Sequence, residues 1–269
     1  MTIQLIALLM AAIAYSFISV GIVLQKKGIS WIGWSEKKDK KYFKHLSIWL
    51  SGFLLMNIYG VPSAIALRSL PPHVVSAFAG FGIIVLIFLS KYFLKDKIFR
   101  SDYFYSAIVM AGIILLNLTE NISGESDISR GILTFLFFFA PVLMFLFVLI
   151  INSGDRLRNI VFAAVSGCSA GVMVISLKGL VHFFEYRISE YPGSLYFYLY
   201  IFFALLSFIS LQISLKSGPV LITGQIQYST TIIYPVAGSV TVFSGSTGPL
   251  QLASIVLIVA GIIKILKNR

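Results

Sequence analysis

"LRSLPP" at residues 67–72 sets an arginine and two prolines inside one of the most apolar parts of the chain. A near copy, "LKSGP", stands at 215–219, 148 residues further on. Each closes a very short connection between two long apolar runs. Proline in the first turn of a helix costs no hydrogen bond, because that N–H has no intrahelical partner anyway. The prolines therefore read as start signals, and both stretches read as tight joints between consecutive helices.

The runs around these joints determine the class. Of 269 residues, 58% are hydrophobic and 12% charged, with a mean hydropathy of +0.93. An ordinary soluble domain carries about 25% charged residues, so a water-soluble fold lacks the polar material to cover itself. Residues 1–25, 46–67, 69–90, 103–119, 131–154, 159–177, 191–215 and 217–263 contain no Asp, Glu, Lys or Arg. A helix crosses the hydrocarbon core with roughly 20 apolar residues. The last run is interrupted by "SGSTGP" at 244–249 and holds two helices. The reading is an all-α integral membrane protein of about nine transmembrane helices. The spans fall near 3–26, 46–68, 72–94, 102–119, 131–152, 158–179, 193–215, 219–243 and 249–266. The runs are continuously apolar rather than alternating, which fits helices and not barrel strands. The N-terminus lacks the basic n-region of a cleavable signal and is expected to be a span. The single cysteine, Cys168, reads as a small packing residue.

Charge then orients the chain. Nine spans distribute the Lys and Arg residues 17 to 4 between the two sides, while the acids divide 5 to 5. Positive residues mark the cytoplasmic face, so a multi-pass cell-membrane protein with its N-terminus outside and its C-terminus inside is expected. The densest cluster, "SEKKDKKYFK" at 35–44, suits anionic lipid head groups. The net charge of +11 is thus accounted for by topology, and no nucleic-acid partner is expected.

A second internal match joins the first: "QKKGI" at 25–29 and "SLKGL" at 176–180. Spans one to four then repeat as spans six to nine, giving repeats at 1–120 and 158–269 and a connector helix at 131–152, all within one membrane domain, 1–269. Five crossings separate equivalent spans, and an odd number inverts the repeat. Inverted repeats recur in secondary transporters, with the site near the midplane where the halves meet.

Four stretches, "LLMAAIAYSFISVGIVLQKKGI" (8–29), "VVSAFAGFGIIVLIFLSKYFLKDKI" (74–98), "GCSAGVMVISLKGL" (167–180) and "QIQYSTTIIYPVAGSVTVF" (225–243), resemble the NIPA-type magnesium transporters of the drug/metabolite transporter (EamA-like) superfamily. The resemblance implies a transporter working by alternating access with Mg²⁺ as cargo. One departure stands out. The family pattern places an acidic residue in the second span, where this chain has Gly60 and Val61 in "MNIYGVPSAIALR" (56–68). A small organic or phosphorylated metabolite therefore stays as the alternative cargo, and a non-transporting membrane receptor or scaffold as a third reading.

Neutral polar residues are what the apolar runs offer to a ligand. Tyr15, Ser19, Asn57, Ser76, Gln225, Gln227, Tyr228 and Thr231 are the substrate-binding candidates, with no metal-ligand set assigned. An amide in hydrocarbon needs a partner, and two glutamines two residues apart do not share one helix face. Lys27, Arg68, Lys178 and Lys216 are expected at the mouths, where they either attract an anion or snorkel to head groups. His45, His73 and His182 show no catalytic or metal spacing, so neither an enzyme nor a cofactor is expected. The small residues in "AGFG" (79–82) and "GCSAG" (167–171) suit close helix packing, within the chain or in a homodimer. The expected partners are membrane lipid and a small solute or Mg²⁺.

Overall fold

The computed structural model describes residues 2–29, 40–67, 69, 78–118, 131–150, 154–184, 188–241 and 248–267. Among the described residues the regular structure is helical throughout. The α-helices are α1 (Thr2–Ile29), α2 (Lys40–Ile58), α3 (Gly60–Leu67), α4 (Ala79–Tyr92), α5 (Arg100–Leu118), α6 (Gly131–Ile150), α7 (Asp155–Phe184), α8 (Leu195–Ser217), α9 (Val220–Thr241) and α10 (Pro249–Lys267), with a short 3₁₀ turn at Ile188–Gly193. Among the described residues, four stretches are long and apolar enough to cross a membrane: Gln4–Ile29, Tyr42–Ser63, Leu195–Ser217 and Pro249–Lys267. Ala79–Tyr92 and Phe139–Leu149 are shorter apolar helices. Many large side chains on these helices, including Leu5, Leu54, Phe88, Phe147 and Val256, are exposed. Such surfaces fit a hydrocarbon surround better than water.

The expected second span is one membrane-length stretch, Tyr42–Ser63, interrupted at a single residue. α2 ends at Ile58 and α3 begins at Gly60, with a turn at Tyr59. Pro62 explains the break, because it has no N–H to bond the carbonyl four residues back. The flanking bonds persist, Tyr59 N–H to Leu55 O at 3.2 Å and Ser63 N–H to Tyr59 O at 3.1 Å. The joint at 215–219 forms as expected. α8 ends at Ser217, and the Pro219 carbonyl accepts the Thr223 N–H at 3.2 Å as α9 starts. Of the "LRSLPP" joint, Arg68, Leu70, Pro71 and Pro72 lie outside the described residues.

By contact the chain forms two units. The first holds Met1–Asn121, Gly218–Gln225 and Gly248–Arg269; the second holds Ile122–Ser217 and Ile226–Thr247. This grouping is a different division from the expected repeats at 1–120 and 158–269, and it leaves them as an expectation. In the first unit α1 packs on α2, α3 and α4, and α5 packs on α4 and α10. The α1–α2 crossing is close because Gly21 and Gly52 face each other; a Cβ on Gly52 would lie 2.6 Å from the Gly21 carbonyl. Small residues that let backbones approach are the usual means of joining helices in lipid, where no hydrophobic force drives association.

In the second unit α7 packs on α6 and α8 around Val165, Val172, Phe203 and Leu206. Polar pairs set the register. Asn159 donates from Nδ2 to the Ser214 carbonyl at 2.9 Å and to Ser214 Oγ at 3.0 Å, and Ser214 Oγ donates to the Asn159 carbonyl at 2.8 Å. Seven residues along each helix, Ser207 donates to the Ser166 carbonyl at 2.9 Å. These hydroxyls and amides are buried and partnered, as buried polar groups must be.

Candidate functional site

α9 carries the densest buried polar set. Residues 221–229 are all buried, two and a half turns with no open face. They include Thr223, Gln225, Gln227 and Ser229. Successive members of this alternating row point in roughly opposite directions, since two residues rotate a helix by about 200°. Both glutamines are nonetheless buried, Gln225 at 1% and Gln227 at 9% exposure. A helix surrounded on all sides makes this possible, and it agrees with the two glutamines lying on different helix faces.

Hydrogen bonding around α9 is incomplete. Gln225 donates from Nε2 to the Ser106 hydroxyl of α5 in a short bond. Its Oε1, the Oε1 of Gln227 and the Ser229 hydroxyl are buried without a hydrogen-bond partner. A buried polar atom left unpaired costs about 1–3 kcal/mol, so each is a place where a water, ion or solute atom would be stabilised. Thr230 and Thr231 return their hydroxyls to their own helix: Thr230 to the Ile226 carbonyl at 2.8 Å, Thr231 to the Gln227 carbonyl at 2.8 Å. Gly167 of α7 meets α9 at the same level. A Cβ there would run into Thr230 Oγ1 and sit 2.5 Å from the Gln227 carbonyl.

The remaining candidates are distributed unevenly. Ser19 is fully buried and ties α1 to α4 through the Gly82 carbonyl at 2.7 Å, with a second bond to the Tyr15 carbonyl at 3.1 Å. Tyr15 is half-buried on α1. Tyr228 is buried on α9 beside the glutamines. Asn57 is not brought to this set: it is exposed, and its Nδ2 donates to the Phe53 carbonyl of its own helix at 2.7 Å. Ser76, Arg68 and the Lys178 side chain lie outside the described residues, as do His73 and the His182 side chain. Lys216 is exposed at the end of α8. Lys27 sits 3.8 Å from the centroid of the Phe93 ring, a cation–π contact. Its neighbour Lys26, absent from the sequence candidates, donates to the Gly218 carbonyl at 2.9 Å and fastens the end of α1 to the turn that opens α9.

Three further residues were missed by sequence reasoning. Asp102, placed by the sequence at the edge of the fourth span, is fully buried in the first turn of α5. Its Oδ2 accepts the Phe99 N–H at 3.0 Å. Ser106, one turn on, is buried at 2% exposure. Ser90 on α4 is fully buried; its carbonyl accepts the Asp96 N–H at 3.0 Å, and its hydroxyl has no hydrogen-bond partner. The i, i+4 spacing in "DYFYS" (102–106) is the signal that marks Asp102 and Ser106 as one face. Among the described residues no group of three His, Cys, Asp or Glu side chains is gathered for a metal ion.

The fold and these buried polar rows are compatible with a helical membrane protein. No protein-family model, no curated protein and no solved structure matches this chain. The resemblance to NIPA-type transporters therefore rests on the quoted motifs alone.

Proposed function

We propose that the chain is a secondary membrane transporter of the drug/metabolite type, working by alternating access between two inverted repeats, with Mg²⁺ as the cargo that the resemblance implies. The observation that supports this most is α9. A helix that the sequence reads as a span, and that keeps two glutamine oxygens and a serine hydroxyl buried and unpaired, bears a cost that a scaffold has no reason to bear. Polar residues inside membrane helices are by default functional. In this reading Gln225, Gln227 and Tyr228 of α9 are the residues that contact the solute. Nine spans cross a cell membrane with the N-terminus outside, lipid head groups contact the lysine-rich segment 35–44, and no covalent chemistry is involved.

Reconstitution into proteoliposomes tests the reading. Saturable Mg²⁺ uptake, reported by an internal fluorescent indicator and abolished in Gln227→Leu, is the expected result. Uptake of a phosphorylated sugar or nucleotide in place of Mg²⁺ would move the assignment to the metabolite alternative. Absence of flux for both classes, with a folded protein, would leave the receptor or scaffold reading.

A further inference from the structure

We infer that Asp102, Ser106, Gln225 and Ser90 form a buried site for one small monovalent cation, at the level where α4 ends and α5 and α9 begin. The four belong to one unit of the fold. Gln225 is bonded to Ser106. Asp102 precedes Ser106 by one turn on the same face of α5. Ser90 follows Leu86 by one turn of α4, and a Cβ on Gly224, the residue before Gln225, would collide with the Leu86 side chain. α9 is therefore pressed against the face of α4 that bears Ser90 and against the face of α5 that bears Asp102 and Ser106.

All four are buried, at 0–2% exposure. Two of their oxygens, Gln225 Oε1 and Ser90 Oγ, have no hydrogen-bond partner. Gln225 Nε2 already bonds Ser106, which holds the amide, and so its unpaired oxygen, beside the Asp102 turn. Carboxylate, amide and hydroxyl oxygens are the ligands of hard cations. The charge selects the valence. Asp102 is the only carboxylate of the four. A monovalent ion leaves the cluster neutral, whereas a divalent ion leaves a net positive charge in a medium of low dielectric, which is strongly disfavoured. As a coupling site the cluster rests on the transport reading above; as a binding site it does not.

The test is the thermal unfolding of the purified full chain in NaCl, choline chloride and MgCl₂ at matched ionic strength. Na⁺ is expected to raise Tm saturably by about 5 °C, with choline having no such effect. Gln225→Leu and Ser90→Ala are each expected to raise the half-saturating Na⁺ concentration by about tenfold, and Asp102→Asn to abolish the response. If Asp102→Asn does not fold, the other two variants decide. Equal Tm in Na⁺ and choline, or Na⁺ responses in the two conservative variants that match the wild type, would show the cluster to be water-filled and overturn the site. Stabilisation by Mg²⁺ with none by Na⁺ would overturn the monovalent assignment. A Na⁺-stabilised chain that moves no solute in proteoliposomes leaves the site standing and refutes the transport reading alone.

Discussion

The α7–α8 seam and the buried stretch of α9 use the same kinds of side chain to opposite ends. On the seam, Asn159 and Ser214 satisfy one another through three hydrogen bonds, and Ser207 closes onto Ser166. On α9, the amide oxygens of Gln225 and Gln227 are buried without a hydrogen-bond partner among the described residues. Ser169, Ser176 and Ser210 of α7 and α8 also carry unpartnered hydroxyls, but a hydroxyl is small beside a glutamine amide. Paired polar groups lock two helices in one register. Unpaired ones cost stability and are retained where something other than stability is gained.

That contrast is open to attack in order of expected effect. The largest is at Gly167, where the glycine alone allows α9 to approach: Gly167→Leu should lower stability by about 3 kcal/mol or prevent folding, read as loss of monodisperse protein in size-exclusion chromatography. Next is the seam. Asn159→Leu removes the two bonds donated by Nδ2 and leaves the Ser214 hydroxyl on the backbone carbonyl of residue 159, so a loss of about 1–2 kcal/mol is expected, measured by unfolding in denaturant. If Asn159→Leu were neutral, the seam would owe its register to apolar packing. Gln227→Leu should do the reverse. Replacing an unsatisfied amide by an apolar group of similar size should leave stability unchanged or raise it by about 1 kcal/mol, while flux in proteoliposomes is lost. A destabilised Gln227→Leu would show that its amide is structurally engaged and that α9 resembles the seam. The smallest effect is expected at Asn57. It is exposed and bonded to its own helix, so Asn57→Ala should change stability by less than about 0.5 kcal/mol and leave flux intact.

Individual residues show how far the sequence reaches. The joint at 215–219 was legible because proline and glycine act locally; the structure starts α9 one residue after Pro219. The expected apolar spans at 3–26, 193–215 and 249–266 correspond to α1, α8 and α10, because charge-free length is itself the physical requirement for a span. The break at Tyr59 was available in Pro62 but not read, since an apolar run conceals an interrupted hydrogen-bond ladder. Gln225 and Gln227 were legible as costly amides in hydrocarbon. That both are buried was not, because it depends on neighbours surrounding α9.

Asp102 shows the limit most clearly. It stands at the edge of a charge-free run, where the sequence assigned it no role, and only tertiary packing buries it one turn from Ser106. Composition and run length by themselves determined an apolar helical chain, because transfer from water to lipid is additive along the sequence. Which polar atoms meet partners, which stay unpaired and which helix is enclosed were decided by tertiary packing alone, because a hydrogen bond is a relation between two places in space and one chain position specifies only one of them.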